Sequence, residues 1–379
     1  MLPGVALAAP VVWEGEVSLR GYDCAREGRD GIVVKGSVTL VHPEDKAHSD
    51  PAQEINISCQ SLTFEQGSEL SSLSGMYIRI DGTSSGPIKL INTRGIKGKD
   101  AAPTPDIWEP RKMANGGNGS GGGNGRNATG CEKLWESRGS KPGGAGERGA
   151  NGASGLLFTA PAGANGQKGN SAADITFISR FLASGTTLEI LAVGGDGGAG
   201  GRGGRGADGG DGGSGGTGGN GGAASSCHTA DHGGNGGNGG DGGDGGNGGP
   251  GGDGGDGGNG GNVLTAIQEG SGTAVVPIIR NNGGRGGDPG PGGEQGLGGK
   301  GGNGGSGGYG GDGDGGIIGL GKKGPGDPGL AGVAGKPGRP GKPGPWGQPG
   351  KDGQNGLIGK GFSGTLPAEA LDKLFKFGS

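Results

Sequence analysis

The most concentrated set of chemically active side chains lies in a short stretch between two glycine-rich blocks. Cys227 and His228 are followed closely by Asp231 and His232, so two imidazoles stand at positions i and i+4 beside a thiol and a carboxylate. Thiolate and imidazole groups are ligands that zinc prefers in proteins. The stretch therefore offers a candidate metal site with Cys227, His228 and His232 as ligands, and a polar turn is the alternative interpretation.

No other motif in the sequence is typical of catalysis. The chain has no recognisable Ser-His-Asp arrangement or nucleophile elbow. Its glycines lack the strand–helix setting and the following Lys-Ser or Lys-Thr that a phosphate-binding loop requires. We therefore predict no enzymatic activity and no resident cofactor.

Charged residues recur with a period of three in two of the blocks, where they form an acidic and a basic column. The acidic column consists of Asp241, Asp244, Asp253 and Asp256, and the basic column consists of Lys336, Arg339, Lys342 and Lys351. Pairing of the two columns between adjacent segments would fix which segments are neighbours, although exposed pairs contribute only about 0–1 kcal/mol each. Simple solvation of both columns, or calcium bound to the acidic one, are the other options.

The composition excludes several classes of protein. Of 379 residues, 111 are Gly and 22 are Pro, while hydrophobic residues make up 28% and aromatic residues 4%. This is too little apolar side chain for one conventional core of that length. The net charge of −4 gives no basic field for nucleic acid, and no apolar run is long enough to span a bilayer.

Glycine follows a period of three in four long blocks. Residues 194–223, 233–262 and 283–312 are written mainly as Gly-Gly-x, and residues 326–359 as Gly-x-y. A period of three fits a left-handed extended helix that has no internal hydrogen bonds, so its backbone must find lateral partners. We predict that the blocks pack side by side with the x residues facing solvent. A disordered tract and a collagen-like trimer are the alternatives, and a fold-back in mid-block remains open.

The Gly-Gly-x blocks resemble those of polyglycine II bundle proteins, namely the tail-fibre tip adhesins of T-even-like phages and snow-flea antifreeze protein. The resemblance covers residues 116–361 and implies a polyglycine II helix bundle whose passes run back and forth. Residues 326–359 also resemble bacterial collagen-like repeats. An ice-binding function would require a face of small residues such as Thr and Ala, whereas Asp and Asn dominate the x positions.

Apolar residues alternate along the N-terminal part of the chain. Met76, Ile78 and Ile80 are one example, and residues 11–100 are predicted to form a β-rich base, either a solenoid or a sandwich. Within a glycine-rich domain at 101–361, residues 174–193 and 263–282 are predicted as β-hairpin or solenoid-rung connectors. The fold class is thus all-β or non-regular. Residues 362–379 are predicted as a tail with a short helix after Pro367, in which Leu371, Leu374 and Phe375 form an apolar stripe.

The four cysteines permit two disulfides and so favour an extracellular setting. If the blocks go out from the base and return, Cys24 and Cys59 lie in the base, and Cys131 and Cys227 lie in distal loops. We predict a pairing within each of these two sets, and free thiols are the alternative.

A rigid scaffold that displays loops is typical of recognition proteins. We expect an extracellular or cell-surface structural or adhesive protein that binds a surface or matrix component or other copies of itself. A receptor-binding adhesin on a virion and an ice-binding protein are the alternatives. The candidate contact residues in the distal loops, which are otherwise simple turns, are Lys133, Trp135, Arg138, His228, His232, Ile317, Ile318 and Leu320.

Overall fold

The computed structural model describes residues 8–43, 53–102, 112–129, 138–268, 275–314, 323–355 and 365–366. Within these ranges the regular structure is one parallel β-sheet and a single 3-10 turn at Gly155–Leu157. The strands are β1 Val11–Ser18, β2 Gly21–Asp23, β3 Gly31–Val41, β4 Glu54–Phe64, β5 Glu69–Ser72, β6 Gly75–Ser85, β7 Pro87–Asn92, β8 Ile175–Leu182, β9 Thr187–Leu191, β10 Val263–Gln268, β11 Ile278–Arg280 and β12 Thr365–Leu366.

The sheet has two arms that meet at β3. One arm runs β3-β4-β6-β8-β10-β12 and the other runs β3-β5-β7-β9-β11, while β1 pairs with β3 and β2 with β4. Successive strand pairs (β4 and β5, β6 and β7, β8 and β9, β10 and β11) therefore stack as rungs. Every pairing between rungs is parallel, which makes the base all-β and solenoid-like, as the alternation predicted.

Columns of apolar side chains between the arms form the core. On one arm Ile55 is in register with Met76, Met76 with Ile175 and Ile175 with Val263, and all four are buried. Leu70, Leu90 and Ile190 form the matching buried column on the other arm. Each such side chain contributes roughly 1.5–3 kcal/mol on burial. The alternating sequence thus supplies one core, which extends into the later rungs.

Of the two alternatives predicted for 174–193 and 263–282, the β-hairpin is wrong and the solenoid rung is confirmed. β8 pairs with β6 and β10, and β9 pairs with β7 and β11, so the two strands of this connector belong to different arms. Gly185, with a φ of +77°, makes the corner between them, a conformation that glycine adopts at little cost. Each strand pairs with strands of the neighbouring rungs. The two strands on either side of the corner therefore diverge and do not pair with each other.

The rungs close in two ways. A tight turn from Ser72 to Gly75 joins β5 to β6, whereas long glycine-rich excursions join β7 to β8, β9 to β10 and β11 to β12. We name the six legs of these excursions segments A to F. They comprise residues 95–101 with 113–128 (A), 139–174 (B), 194–224 (C), 231–262 (D), 282–312 (E) and 326–355 (F).

Two features tie the excursions to the base. Buried Asn92 donates from Nδ2 to the carbonyl of Ser74 at 2.9 Å and accepts the N–H of Ala173 on Oδ1 at 2.9 Å. At the end of the chain, β12 pairs with β10. The helix predicted after Pro367, with Leu371, Leu374 and Phe375, lies outside the described residues.

The predicted Cys24–Cys59 disulfide is present, and both residues are buried in the base. The sequence separation of 35 residues corresponds to a stabilisation of about 3–4 kcal/mol in the chain-entropy account. Cys227 is also disulfide-bonded, and Cys131 lies outside the described residues. Disulfides of this kind are typical of an oxidising compartment.

Candidate functional site

The six glycine-rich segments form a two-row array held by backbone hydrogen bonds. Segments A, C and E run parallel in one row, and segments B, D and F run parallel in the other. Between the rows, C and D are antiparallel neighbours, with bonds at every third residue from Asp231 N–H to Gly222 C=O down to Gly261 N–H to Ala192 C=O. The array therefore extends from the base to a distal end, where the distal connectors 129–138, 225–230 and 313–325 join A to B, C to D and E to F.

Segments C and E run straight along the array, whereas segment B changes its register to D at the 3-10 turn: Gly155 donates to Asp244 before the turn, and Gly163 donates to Pro250 after it. The parallel bonds between C and E keep one register from the N–H of Gly194, which donates to Asn282, to the N–H of Ala224, which donates to Asp312. The register does not change at Ala207 or at the interruption of the glycine pattern between Pro289 and Gln295. The question of a fold-back in mid-block is thereby answered for segments C and E.

One triplet shows how three neighbours satisfy the backbone. Gly212 donates to the carbonyl of Lys300 in segment E at 2.7 Å, and Gly213 donates to the carbonyl of Ala150 in segment B at 2.8 Å. The third N–H, of Ser214, donates to Oδ1 of Asn118 in segment A at 2.9 Å. All three N–H groups thus have partners, as buried backbone requires.

The two glycines of the triplet are required for a steric reason. A Cβ on Gly212 would collide with the carbonyl of Gly240 in segment D, and a Cβ on Gly213 would collide with that of Gly117 in segment A. Real side chains do not tolerate such overlaps with backbone. Interior segments therefore need glycine at two positions of every three.

Most x residues face solvent, as predicted, but many of them are also part of the hydrogen-bond network, which the sequence did not show. Asn and Asp at x accept, on Oδ1, the N–H of the x residue in the next segment of the same row. This ladder runs from A to C, from C to E, from B to D and from D to F. Asn and Asp suit the role because a short side chain with an acceptor oxygen can mimic a backbone carbonyl.

The acidic and basic columns do lie on neighbouring segments, D and F, but they meet through the backbone. Asp244 accepts the N–H of Arg339 at 2.7 Å, and Asp256 accepts the N–H of Lys351 at 2.8 Å. Among the described residues, no ion pair joins an aspartate of the acidic column to a side chain of the basic one; Asp241 instead lies 3.4 Å from Arg148 of segment B. The predicted side-chain pairing is therefore replaced by capping of backbone N–H groups.

Two aspartates at the array surface have altered titration. The Lys112 ammonium and the N–H of Lys300 lower the pKa of Asp211. The N–H of Ala199, followed by Lys97, lowers the pKa of Asp100. Hydrogen bonds to the charged form have this effect on carboxylates.

The structure brings some of the predicted contact residues to the distal end. His232 accepts the N–H of Asp327 on Nδ1 at 3.1 Å, so it takes the capping role that Asn or Asp has elsewhere. His228 closes a tight turn with Ser225, and Arg138 bonds to Thr129. Lys133, Trp135, Ile317, Ile318 and Leu320 lie outside the described residues.

The candidate metal ligands at this end already have other roles. Cys227 is disulfide-bonded and so offers no thiolate, and the Nδ1 of His232 is an acceptor for Asp327. Within the described ranges, no group of three or more His, Cys, Asp or Glu residues is placed to hold a metal ion. The predicted pairing of Cys227 in a disulfide competes with the metal site, whereas the capping bond of His232 could not be inferred from the sequence spacing.

The outer segments of the second row differ from the interior ones. In segment B the positions equivalent to the second glycine are filled by exposed residues such as Glu147, Ala150 and Ala153. In segment F the outward positions include Pro337, Pro340 and Pro343, which are exposed and have no N–H to offer. Proline and bulk on an edge prevent further strands from pairing there.

Comparison with known proteins assigns this chain to no family. No family matches the chain, and no curated protein matches it. Among solved structures, one similar chain is described as a nine polyproline type II helical bundle springtail antifreeze protein from Granisotoma rainieri. It is 29% identical over 40% of this chain and 94% of that one, with a TM-score of 0.05.

The resemblance to polyglycine II bundle proteins and to collagen-like repeats is therefore wrong as an identification. A TM-score of 0.05 is too low to indicate a structural likeness to the antifreeze protein. The regular structure of the chain is a parallel β-sheet, and the glycine-rich segments prolong its rungs. A period of three alone could not show that the blocks belong to a β-solenoid-like base. Within the described ranges, no helix has the length and apolar character to cross a bilayer.

Proposed function

We propose that this protein is an extracellular structural or adhesive protein whose glycine array presents the distal connectors to a cell-surface or matrix component. The observation that carries the proposal is the unbroken hydrogen-bond register of segments C and D between base and distal end. Loops held by a rigid scaffold are suited to recognition. The disulfide in the base supports an extracellular location.

The edges of the array favour display over fibre formation. Open edges with glycine on both sides would allow copies to add in succession, as heterologous contacts do. At the two ends of the second row, exposed Glu147 in segment B and the prolines of segment F block that mode of growth. A surface or matrix component is therefore the favoured partner over further copies of the chain.

Retention of beads coated with the full chain on a panel of cell surfaces and matrix coats tests the proposal. We expect binding that falls at least several-fold for Trp135→Ala and for the Lys133→Ala, Arg138→Ala pair. The matched control is the Arg26→Ala, Lys168→Ala pair, which removes two exposed charges away from the distal end. Failure of the unaltered chain to bind any surface would overturn the adhesive function, and equal binding of all variants would overturn the role of the connectors.

A further inference from the structure

A neutral polar patch lies near the distal end of the row formed by segments A, C and E. Its x residues line up across the three segments, and at one level the ladder joins them directly: Asn124 accepts the N–H of Asn220, and Asn220 accepts the N–H of Tyr309, both at 3.0 Å. We call this the neutral patch and define it by Asn118, Asn124, Thr217, Asn220, Ser306 and Tyr309. All but Ser214 of the x residues at these three levels are largely exposed.

The asparagines of the neutral patch are held in a fixed orientation. A backbone N–H donates to Oδ1 of Asn118, Asn124 and Asn220, which assigns the oxygen and leaves Nδ2 pointing away from that bond. None of these three Nδ2 groups has a hydrogen-bond partner among the described residues. The patch thus presents oriented amide donors whose ordering cost is already met by folding.

Tyr309 adds an aromatic surface to the same patch. Its backbone is fixed on both sides, because its N–H donates to Asn220 and its carbonyl accepts the N–H of Gly221 at 2.8 Å. Its side chain is nevertheless exposed, at 78% for the residue, and the one ring pair in the described part of the chain joins Trp13 and Tyr22. An exposed aromatic ring carried by a fixed backbone is typical of a contact residue.

The neighbouring x residue of segment A lacks a side chain. A Cβ on Gly121 would meet Oγ1 of Thr217 at 3.3 Å, so the glycine leaves the threonine hydroxyl open to an incoming group. Charges lie at the borders of the patch, with Asp211 and Lys300 on the side of the base and Arg126 and Asp312 on the distal side. The patch therefore combines donors, hydroxyls and one ring without a charge.

We propose that the neutral patch binds an uncharged glycan. A pyranose ring offers an apolar C–H face that stacks on an aromatic ring, and its hydroxyls match amide donors and Ser and Thr hydroxyls. An anionic ligand would find no cation within the patch. The inference rests on the proposed adhesive function and adds a second contact site beside the distal connectors, for which it names the class of surface component.

Titration calorimetry of the full chain tests the ligand class. The probes are neutral oligosaccharides of two to six hexose or N-acetylhexosamine units and an oligogalacturonate of equal length as the anionic comparison. We expect at least one neutral probe to bind, with about tenfold weaker binding after Tyr309→Ala. Binding of the oligogalacturonate alone, or of no neutral probe, would overturn the inference.

Asn→Asp substitutions separate donor loss from structural damage. Asp keeps the Oδ1 acceptor, a role it already has at Asp211 and Asp241, but it lacks the Nδ2 donor. We expect Asn124→Asp and Asn220→Asp to weaken binding while thermal unfolding stays unchanged, and Asn238→Asp on the other row to leave binding intact. If beads still adhere to surfaces while all patch variants bind sugar like the unaltered chain, the patch inference fails and the adhesive function stands.

Discussion

A single steric rule explains where glycine is obligatory at the residue scale. A position is glycine when its Cβ would enter the backbone of a neighbouring segment, and other residues occur where that direction is open. Gly122 and Gly123 illustrate both cases side by side. A Cβ on Gly122 would collide with the carbonyl of Gly144, whereas a Cβ on Gly123 would meet nothing within 4 Å.

Gly122→Ala and Gly123→Ala are expected to have opposite effects on stability. The first forces backbone apart and should cost about 1–3 kcal/mol of unfolding free energy. The second adds no clash and restricts the unfolded chain, so it should be neutral or stabilising by about 0.4–1 kcal/mol. Denaturant unfolding measures both, and equal losses for the two variants would contradict the steric rule.

Asn92 is a second position where one side chain decides the local structure. Asn92→Ala would leave the buried carbonyl of Ser74 and the N–H of Ala173 without these partners, at a cost of about 1–3 kcal/mol. Asn92→Asp keeps the acceptor for Ala173 and should retain part of that stability at neutral pH. Thermal unfolding of the two variants checks the order, and the reverse order would argue against the assigned hydrogen bonds.

At the scale of elements, the ladder of Asn and Asp joins parallel segments that glycine alone would leave one N–H short per triplet. Asp244 in segment D caps Arg339 in segment F. Asp and Asn are interchangeable in this bond, since both supply Oδ1. The identity of the x residues is therefore a structural requirement as well as a surface property.

Asp244→Asn should leave the unfolding free energy nearly unchanged, whereas Asp244→Ala should lower it by about 0.5–1.5 kcal/mol through the lost capping bond. Hydrogen exchange at the amide of Arg339 gives a local readout. We expect faster exchange there in the Ala variant alone. Equal exchange in both variants would show that Asp244 does not cap this amide.

The sequence predicted some elements well and others poorly, for identifiable reasons. Alternation at Met76, Ile78 and Ile80 marks half-buried strands directly, and the buried Cys24–Cys59 bridge follows from their place in the base. The choice between a hairpin turn and a rung corner at Gly185 stayed open, because alternation does not tell which strand is the partner. The capping role of His232 was missed, since the residue that it caps, Asp327, is far away in the sequence.

At the scale of the whole molecule, the base supplies the apolar core and the array supplies hydrogen bonds. Charges are distributed over the array surface, and several carboxylates there accept backbone N–H groups. Asp100 and Asp211 have a lowered pKa because of such hydrogen bonds, and protonation of these two carboxylates weakens charge-assisted bonds of segments A and C. Acid should therefore weaken the array at these two positions.

We expect the melting temperature to fall as the pH drops below about 5. In the folded protein, the pKa values of Asp100 and Asp211 lie below the ordinary value of 3.8 for aspartate. The hydrogen bond from Lys89 likewise lowers the pKa of Glu69 below its ordinary value of 4.5. A lowered folded pKa means that stability is present above the unfolded pKa and is lost as the pH falls through the folded one. Glu54 acts in the opposite sense, since burial and Asp174 raise its pKa.

A thermal-unfolding series from pH 6 to pH 2.5 checks this expectation. Asp211→Asn should flatten part of the loss, because Asn keeps the acceptor but does not titrate. Glu16→Gln, at an exposed position of β1, serves as the control and should leave the profile unchanged. A melting temperature that rises on acidification would mean that Glu54 outweighs the aspartates.

The unbroken register between segments C, D and E has a consequence for how such a chain changes in length. Removal of one triplet from every segment at the same level would leave each remaining N–H opposite an equivalent acceptor, so the molecule would become shorter without a change of phase. Removal of a triplet from one segment alone would leave backbone N–H and C=O groups without partners in the neighbouring segments and would force a bulge. The distance between base and distal end is thus counted in whole triplets, and insertions and deletions that survive in related chains should occur in matched sets across the array.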